Sequence, residues 1–151
     1  MSHILVIGVG NEYRSDDGVG LVVARELCAK KLPGVQIAES SGDGAALLEA
    51  WETAGTVILI DAAYSGADPG TMCRFDVNSE PVPISLSFHS THAFGVAEAL
   101  ELARALQQLP PSLIVYTIVG KHFSAGTGLS PEVSEAAKKV VAQVMLEVSS
   151  L

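Results

Sequence analysis

Aromatic residues make up only 5% of the 151-residue chain, and cysteine occurs just twice. A core short of rings has to be filled with Val, Ile, Leu and Ala, which suits an aliphatic sheet under small-residue helices. Cys28 and Cys73 show no metal-type spacing. Both are expected to be small buried hydrophobes, one on the apolar side of a helix and one in a strand-like run. Such sparing cysteine use fits a reducing cytoplasm. Positive charge is scarce too, with 9 Lys and Arg against 17 Asp and Glu, a net charge of −8. Without a Lys/Arg cluster the chain lacks the footprint of a nucleic-acid binder. No apolar run approaches the ~20 residues of a membrane-spanning helix. Met1-Ser2 leads straight into a strand-like run, so no signal peptide is expected. Repeats, low-complexity tracts and internal linkers are also absent from the sequence. A single domain over residues 1–151 is expected, large enough to bury roughly two thirds of its unfolded surface. It is expected to be a monomer, because no helix carries a second wide apolar face.

What the chain does have is a distinctive opening, His3-Ile4-Leu5-Val6-Ile7-Gly8-Val9-Gly10-Asn11-Glu12-Tyr13-Arg14-Ser15-Asp16-Asp17-Gly18-Val19-Gly20. The unbroken apolar run 4–7 predicts a strand buried on both faces, as in a parallel sheet. Gly8 and Gly10 let the backbone turn sharply above the strand end. Ser15 or Asp16 is placed to cap a helix whose apolar side carries Val19, Val22, Val23, Leu27 and Cys28. Further strands are predicted over 35–40, 56–60 and 113–119, with Asp61 ending the third. A short helix over 45–52 packs Leu47, Leu48 and Trp51. Residues 72–77 alternate weakly and predict an edge or antiparallel strand, followed by an irregular loop over 78–90 containing Pro81 and Pro83. Ser90 or Thr91 is expected to cap a helix carrying Phe94, Val96, Ala97, Leu100, Ala103 and Leu106. Ser130-Pro131-Glu132 opens the last helix, with Ser130 expected as its cap and Pro131 in the first turn. This order predicts an α/β fold: a three-layer α/β/α sandwich around a mostly parallel, about five-stranded twisted sheet with one antiparallel edge strand.

Two chemistries compete for the strand ends. Gly8-Val9-Gly10 after a strand, with Glu39 ending the second strand, has the outline of a dinucleotide site. However, Tyr13 stands where the third glycine belongs, and Asp16 and Asp17 would repel a pyrophosphate at the helix start. The alternative joins Asp17, Asp61 and His92, each placed at the same end of the sheet. Two carboxylates and an imidazole without a thiolate suit a divalent metal such as nickel, zinc, manganese or iron. An Asp ending a buried strand is costly unless its charge is used or compensated. His89 is a rival ligand to His92, whereas His3 and His122 are expected to face solvent.

The assembled motifs resemble those of the endopeptidases that mature nickel–iron hydrogenases. The resemblance rests on Ile4-Leu5-Val6-Ile7-Gly8-Val9-Gly10-Asn11 with Ser15-Asp16-Asp17-Gly18-Val19-Gly20, then Ile60-Asp61-Ala62, Asp68-Pro69-Gly70-Thr71, Ser90-Thr91-His92 and Gly128-Leu129-Ser130-Pro131. It implies removal of a C-terminal extension from a hydrogenase large-subunit precursor after nickel insertion. It also implies that Asp17, Asp61 and His92 are the catalytic and metal-contacting residues, reading nickel supplied by the precursor rather than held permanently. A non-catalytic nickel- or precursor-binding module would need the same residues. Two positions depart from the family pattern. Asp17 stands where many relatives carry Glu, and Ser41-Gly42-Asp43-Gly44 replaces a frequent Asp-Gly-Gly-Thr beside the docking cleft that the resemblance implies.

Overall fold

The computed structural model describes residues 3–82 and 92–151. Strands β1 (Ile4–Val9), β2 (Val35–Ser40), β3 (Thr56–Ala63), β4 (Met72–Asp76) and β5 (Ser112–Val119) form one sheet in the order β2-β1-β3-β5-β4. All neighbours run parallel except β4, which pairs antiparallel with β5 from Met72↔Ile118 to Asp76↔Ile114. The mostly parallel sheet with its antiparallel edge is therefore as the sequence predicts.

Alternate residues of the continuous apolar strands feed two cores. Leu5, Ile7, Val57, Leu59, Leu113 and Val115 meet α2 (Gly44–Ala50) and α3 (Val96–Ala105) through Leu47, Ala99 and Leu100. Val6, Ile58, Ile60, Ile114 and Ile118 face the other way, against α1 (Val19–Ala29) and α4 (Pro131–Ser149). There Val23, Leu27, Ala137, Val140 and Val144 complete the second core. Helices cover both faces because the right-handed crossovers reverse direction, β1 to β2 one way and β2 to β3 the other. The outer strands are the more exposed ones, as edges should be. On β4, Arg74 is tied to α4 through Glu147, which also accepts the Tyr116 hydroxyl.

Several local expectations need correction. Both cysteines are exposed, since Cys28 lies just off the buried stripe of α1 and Cys73 sits on the edge strand. Neither Ser15 nor Asp16 caps α1: Ser15–Gly18 forms a short 3-10 turn, and Gly18 precedes the helix. β3 continues past Asp61 to Ala63, because β5 keeps pairing with it as far as Val119. α3 begins only at Val96, with Gly95 before it and the Glu98 carboxylate accepting the Gly95 N–H at 2.9 Å. His92 thus lies in the turn ahead of that helix rather than at its start. The proposed caps Ser90 and Thr91, and the rival ligand His89, lie outside the described residues.

The connectivity decides where a site can form. From β1 the chain crosses to β2 on one side, and β5 lies beyond β3 on the other. The ends of β1 and β3 therefore flank a topological switch point, where open α/β sheets leave a crevice. Gly20 sets how close α1 comes to it. A Cβ on Gly20 would lie 2.3 Å from the Val9 carbonyl oxygen and 2.4 Å from that of Ile60. Only a glycine lets the helix start rest on both strands, bringing the turn before it over the end of β3.

Candidate active site

At the switch point a cleft of about 360 Å³ is lined by Val9, Gly10, Asn11, Asp17, Gly42, Asp61 and His92, among others. All three residues expected at the site from sequence share this cleft. Among the described residues, no group of three or more His, Cys, Asp and Glu lies close enough together to hold a metal ion. The three therefore line one cavity from different walls without forming a preassembled ligand cluster.

Each side chain is placed by its local backbone. Gly10, at φ +153°, carries the chain out of β1 where a Cβ would meet the Asp17 carbonyl oxygen at 2.0 Å. The turn that follows closes on itself, with the Asn11 amide donating to Asp17 Oδ2 at 3.0 Å. Asp17 is half-buried, so its carboxylate is oriented yet reachable. Asp61 is only 8% exposed and accepts the Ala62 amide at 2.8 Å. Burial first, and the negative charge of Asp17 second, push the Asp61 carboxyl well above the usual carboxylate range, against the smaller opposing effect of the Ala62 amide. A cation between the two carboxylates would relieve the charge crowding that raises Asp61.

His92 enters from the opposite wall. The Gly44 amide donates to the Phe94 carbonyl at 2.8 Å, fixing the turn that carries the imidazole. Gly42, at φ +94°, lies directly beneath: a Cβ there would approach His92 Cδ2 at 3.8 Å and Val9 Cγ1 at 3.4 Å. The Ser41-Gly42-Asp43-Gly44 departure thus keeps glycines where the chain passes under His92 and Phe94.

The outer end of the cleft is organised by Arg25, which donates to Glu39 at 3.0 Å and to Glu12 at 3.1 Å. Hydrogen bonding and charge from Arg25 hold Glu12 below the usual carboxylate range. Glu39, the residue that would bind a ribose in a dinucleotide site, is engaged by this guanidinium instead.

Sequence reasoning missed Asp16. It is fully buried and accepts four hydrogen bonds: from the amides of Lys121, His122 and Ser130 at 2.8, 2.9 and 2.8 Å, and from the Ser130 hydroxyl. Burial pushes its pKa up, but these donors outweigh burial and hold it below the usual carboxylate range. Ser130, expected to cap α4 with its side chain, gives that hydroxyl to Asp16. The only hint in the sequence was two adjacent acids, which cannot reveal which one turns inward.

An α/β sheet with an acid-lined cleft at its switch point holds a candidate active site where open α/β enzymes bind their ligands. The model of the HycI hydrogenase maturation protease family matches residues 22–147. The chain belongs to this family, which makes it an endopeptidase of the hydrolase class. It is 28% identical over 135 residues to the hydrogenase expression/formation protein HupD of Thiocapsa roseopersicina, a match covering 87% of this chain but 61% of that protein. Among solved structures it is similar to the hydrogenase maturating endopeptidase HybD from E. coli, with a TM-score of 0.83 and 25% identity, over 98% of this chain and 93% of that one. The [NiFe] hydrogenase maturation protease HybD from Thermococcus kodakarensis superposes with a TM-score of 0.74 at 28% identity, covering 95% of this chain and 97% of its own.

Proposed function

We propose that this protein removes the C-terminal extension of a nickel–iron hydrogenase large-subunit precursor after nickel insertion, recognising the nickel that the precursor carries. The observation that carries this reading is the crowding of Asp61 by Asp17 inside the cleft, with His92 on the facing wall. Nickel here is part of the substrate. A partly ligated divalent ion brought into the cleft offsets the crowding of the two carboxylates, while His92 supplies an imidazole nitrogen donor. Seating the metal-bearing segment fixes the adjoining scissile amide beside the same side chains, so docking supplies proximity and orientation. Hydrolysis then adds water across that amide, releasing the tail with a new amine and leaving a carboxylate on the large subunit.

The test is mass spectrometry of a nickel-loaded precursor incubated with the protein, in parallel with nickel-free precursor. Loss of a C-terminal peptide is expected only with nickel, and only while Asp17, Asp61 and His92 are intact. Equal cleavage of nickel-free precursor would refute nickel recognition. Binding without any cleavage would instead make the protein a loading-check module.

A further inference from the structure

We infer that Tyr13 and Tyr64 form a docking platform for the folded surface of the precursor beside its scissile tail; this rests on the reading of the chain as a protease for a protein substrate. The protein has three tyrosines and one tryptophan, and it buries Trp51 and Tyr116. Among the described residues, the aromatics most open to solvent are Tyr13, at 67% exposure, and Tyr64, at 51%. Tyr13 lies in the turn after β1 and lines the mouth of the cleft. Tyr64 directly follows β3, whose end carries Asp61. β1 and β3 are paired neighbours, so Tyr13 and Tyr64 both follow strands that end at the side of the sheet where Asp17 and Asp61 line the cleft.

Both are backed by the same loop, residues 121–130. The Tyr13 carbonyl accepts the Gly126 amide at 3.0 Å, and the Ser15 amide donates to the Gly126 carbonyl at 3.0 Å. The Tyr64 ring meets Phe123 edge-on, with centroids 6.3 Å apart and planes at 77°. Asp16 anchors that loop at both ends, through Lys121 and Ser130. Preorganised aromatic rings at a rim lose little entropy on binding, and Tyr is enriched among residues that dominate protein interfaces. Size points to the same occupant. A cleft of about 360 Å³ takes a few side chains, whereas a specific protein interface buries roughly 800 Å² on each partner. A protein substrate must therefore use the rim as well as the cleft.

The experiment is steady-state cleavage of nickel-loaded precursor by Tyr13→Ala and by the Tyr13→Ala/Tyr64→Ala double variant, with folding checked by circular dichroism. Precursor affinity is measured in parallel by titration. The single variant keeps the Tyr64–Phe123 contact intact. Leu106→Ala and Leu146→Ala, which remove exposed side chains at the C-terminal ends of α3 and α4, serve as controls. The double variant is expected to raise KM by about tenfold or more, and the single variant by about threefold, with kcat within about twofold of wild type. An unchanged KM, a loss confined to kcat, or an equal rise in the leucine controls would overturn the platform. Binding of precursor without cleavage by the wild type would count against the protease reading, and the same variants would then judge the platform by Kd. Failure of the wild type to bind precursor would overturn both.

Discussion

Asp16, in the turn after β1, and Asp61, near the end of β3, are both buried carboxylates, and the molecule treats them in opposite ways. Asp16 is enclosed by four donors from the 121–130 loop and ends below the usual carboxylate range. Asp61 receives one amide hydrogen bond, from its own neighbour, and faces the charge of Asp17, so it lies well above that range. The difference teaches that burial alone does not make an acid functional. Saturated with donors, a carboxylate becomes a fastening between loops; starved of them beside a like charge, it has the perturbed character common at functional sites.

The largest expected effect tests the poised member. Asp61→Asn keeps the shape and burial of the side chain but removes its charge, and precursor cleavage should fall by about 10³-fold, read by mass spectrometry of the tail. Cleavage within about tenfold of wild type would show that Asp61 is not needed as an acid. Next comes the fastening. Asp16→Asn turns an NH₂ group toward donors and leaves buried N–H groups unmatched, so roughly 3 kcal/mol of stability should be lost, about 6–12 °C in Tm for a chain of this size. A shift under about 2 °C would mean that the knot contributes nothing net.

A smaller effect of the opposite sign is expected for the same Asp61→Asn variant. Relieved of a crowded buried acid, it should be more stable than wild type at neutral pH by about 1 kcal/mol, seen as a higher Tm. The finest test is the pH dependence. A group whose folded pKa is raised contributes stability at low pH and loses it as pH rises through that pKa, so the advantage of Asp61→Asn should grow with pH. A group whose folded pKa is lowered contributes above its unfolded pKa and loses it as pH falls, so the deficit of Asp16→Asn should shrink on acidification. Melting curves across pH 3–8 that moved both differences in one direction would erase the distinction between the two acids.

Much of the fold was legible because its strands are continuous apolar runs. Residues 35–40 and 72–77 and the central runs all became strands, and the weak alternation of 72–77 correctly marked an antiparallel edge. The candidate site was legible as residue types at the ends of strands, and Asp17, Asp61 and His92 do line one cleft. Local signals misled where a distant partner competed. Ser130 looked like a cap, but Asp16, remote in sequence, claims its hydroxyl. Cys28 looked buried from its neighbours in the helix, yet α4 and the sheet cover a stripe that stops short of it. The helix expected after Thr91 starts instead at Val96, where Glu98 can reach back to Gly95.

The sequence by itself determined the layered α/β class, the parallel core, the glycines of the first turn and the family to which the chain belongs. The class, the parallel core and the first turn follow from periodicity and local backbone freedom, which act over a few residues, and the family from the resemblance of its motifs. Tertiary structure alone decided which of two adjacent acids faces inward, and how closely α1 rests on β1 and β3. It also decided that Tyr13 and Tyr64 stay exposed while both contact the 121–130 loop. Hydrogen-bond donors and charges reach across space rather than along the chain, so only folding could assign them.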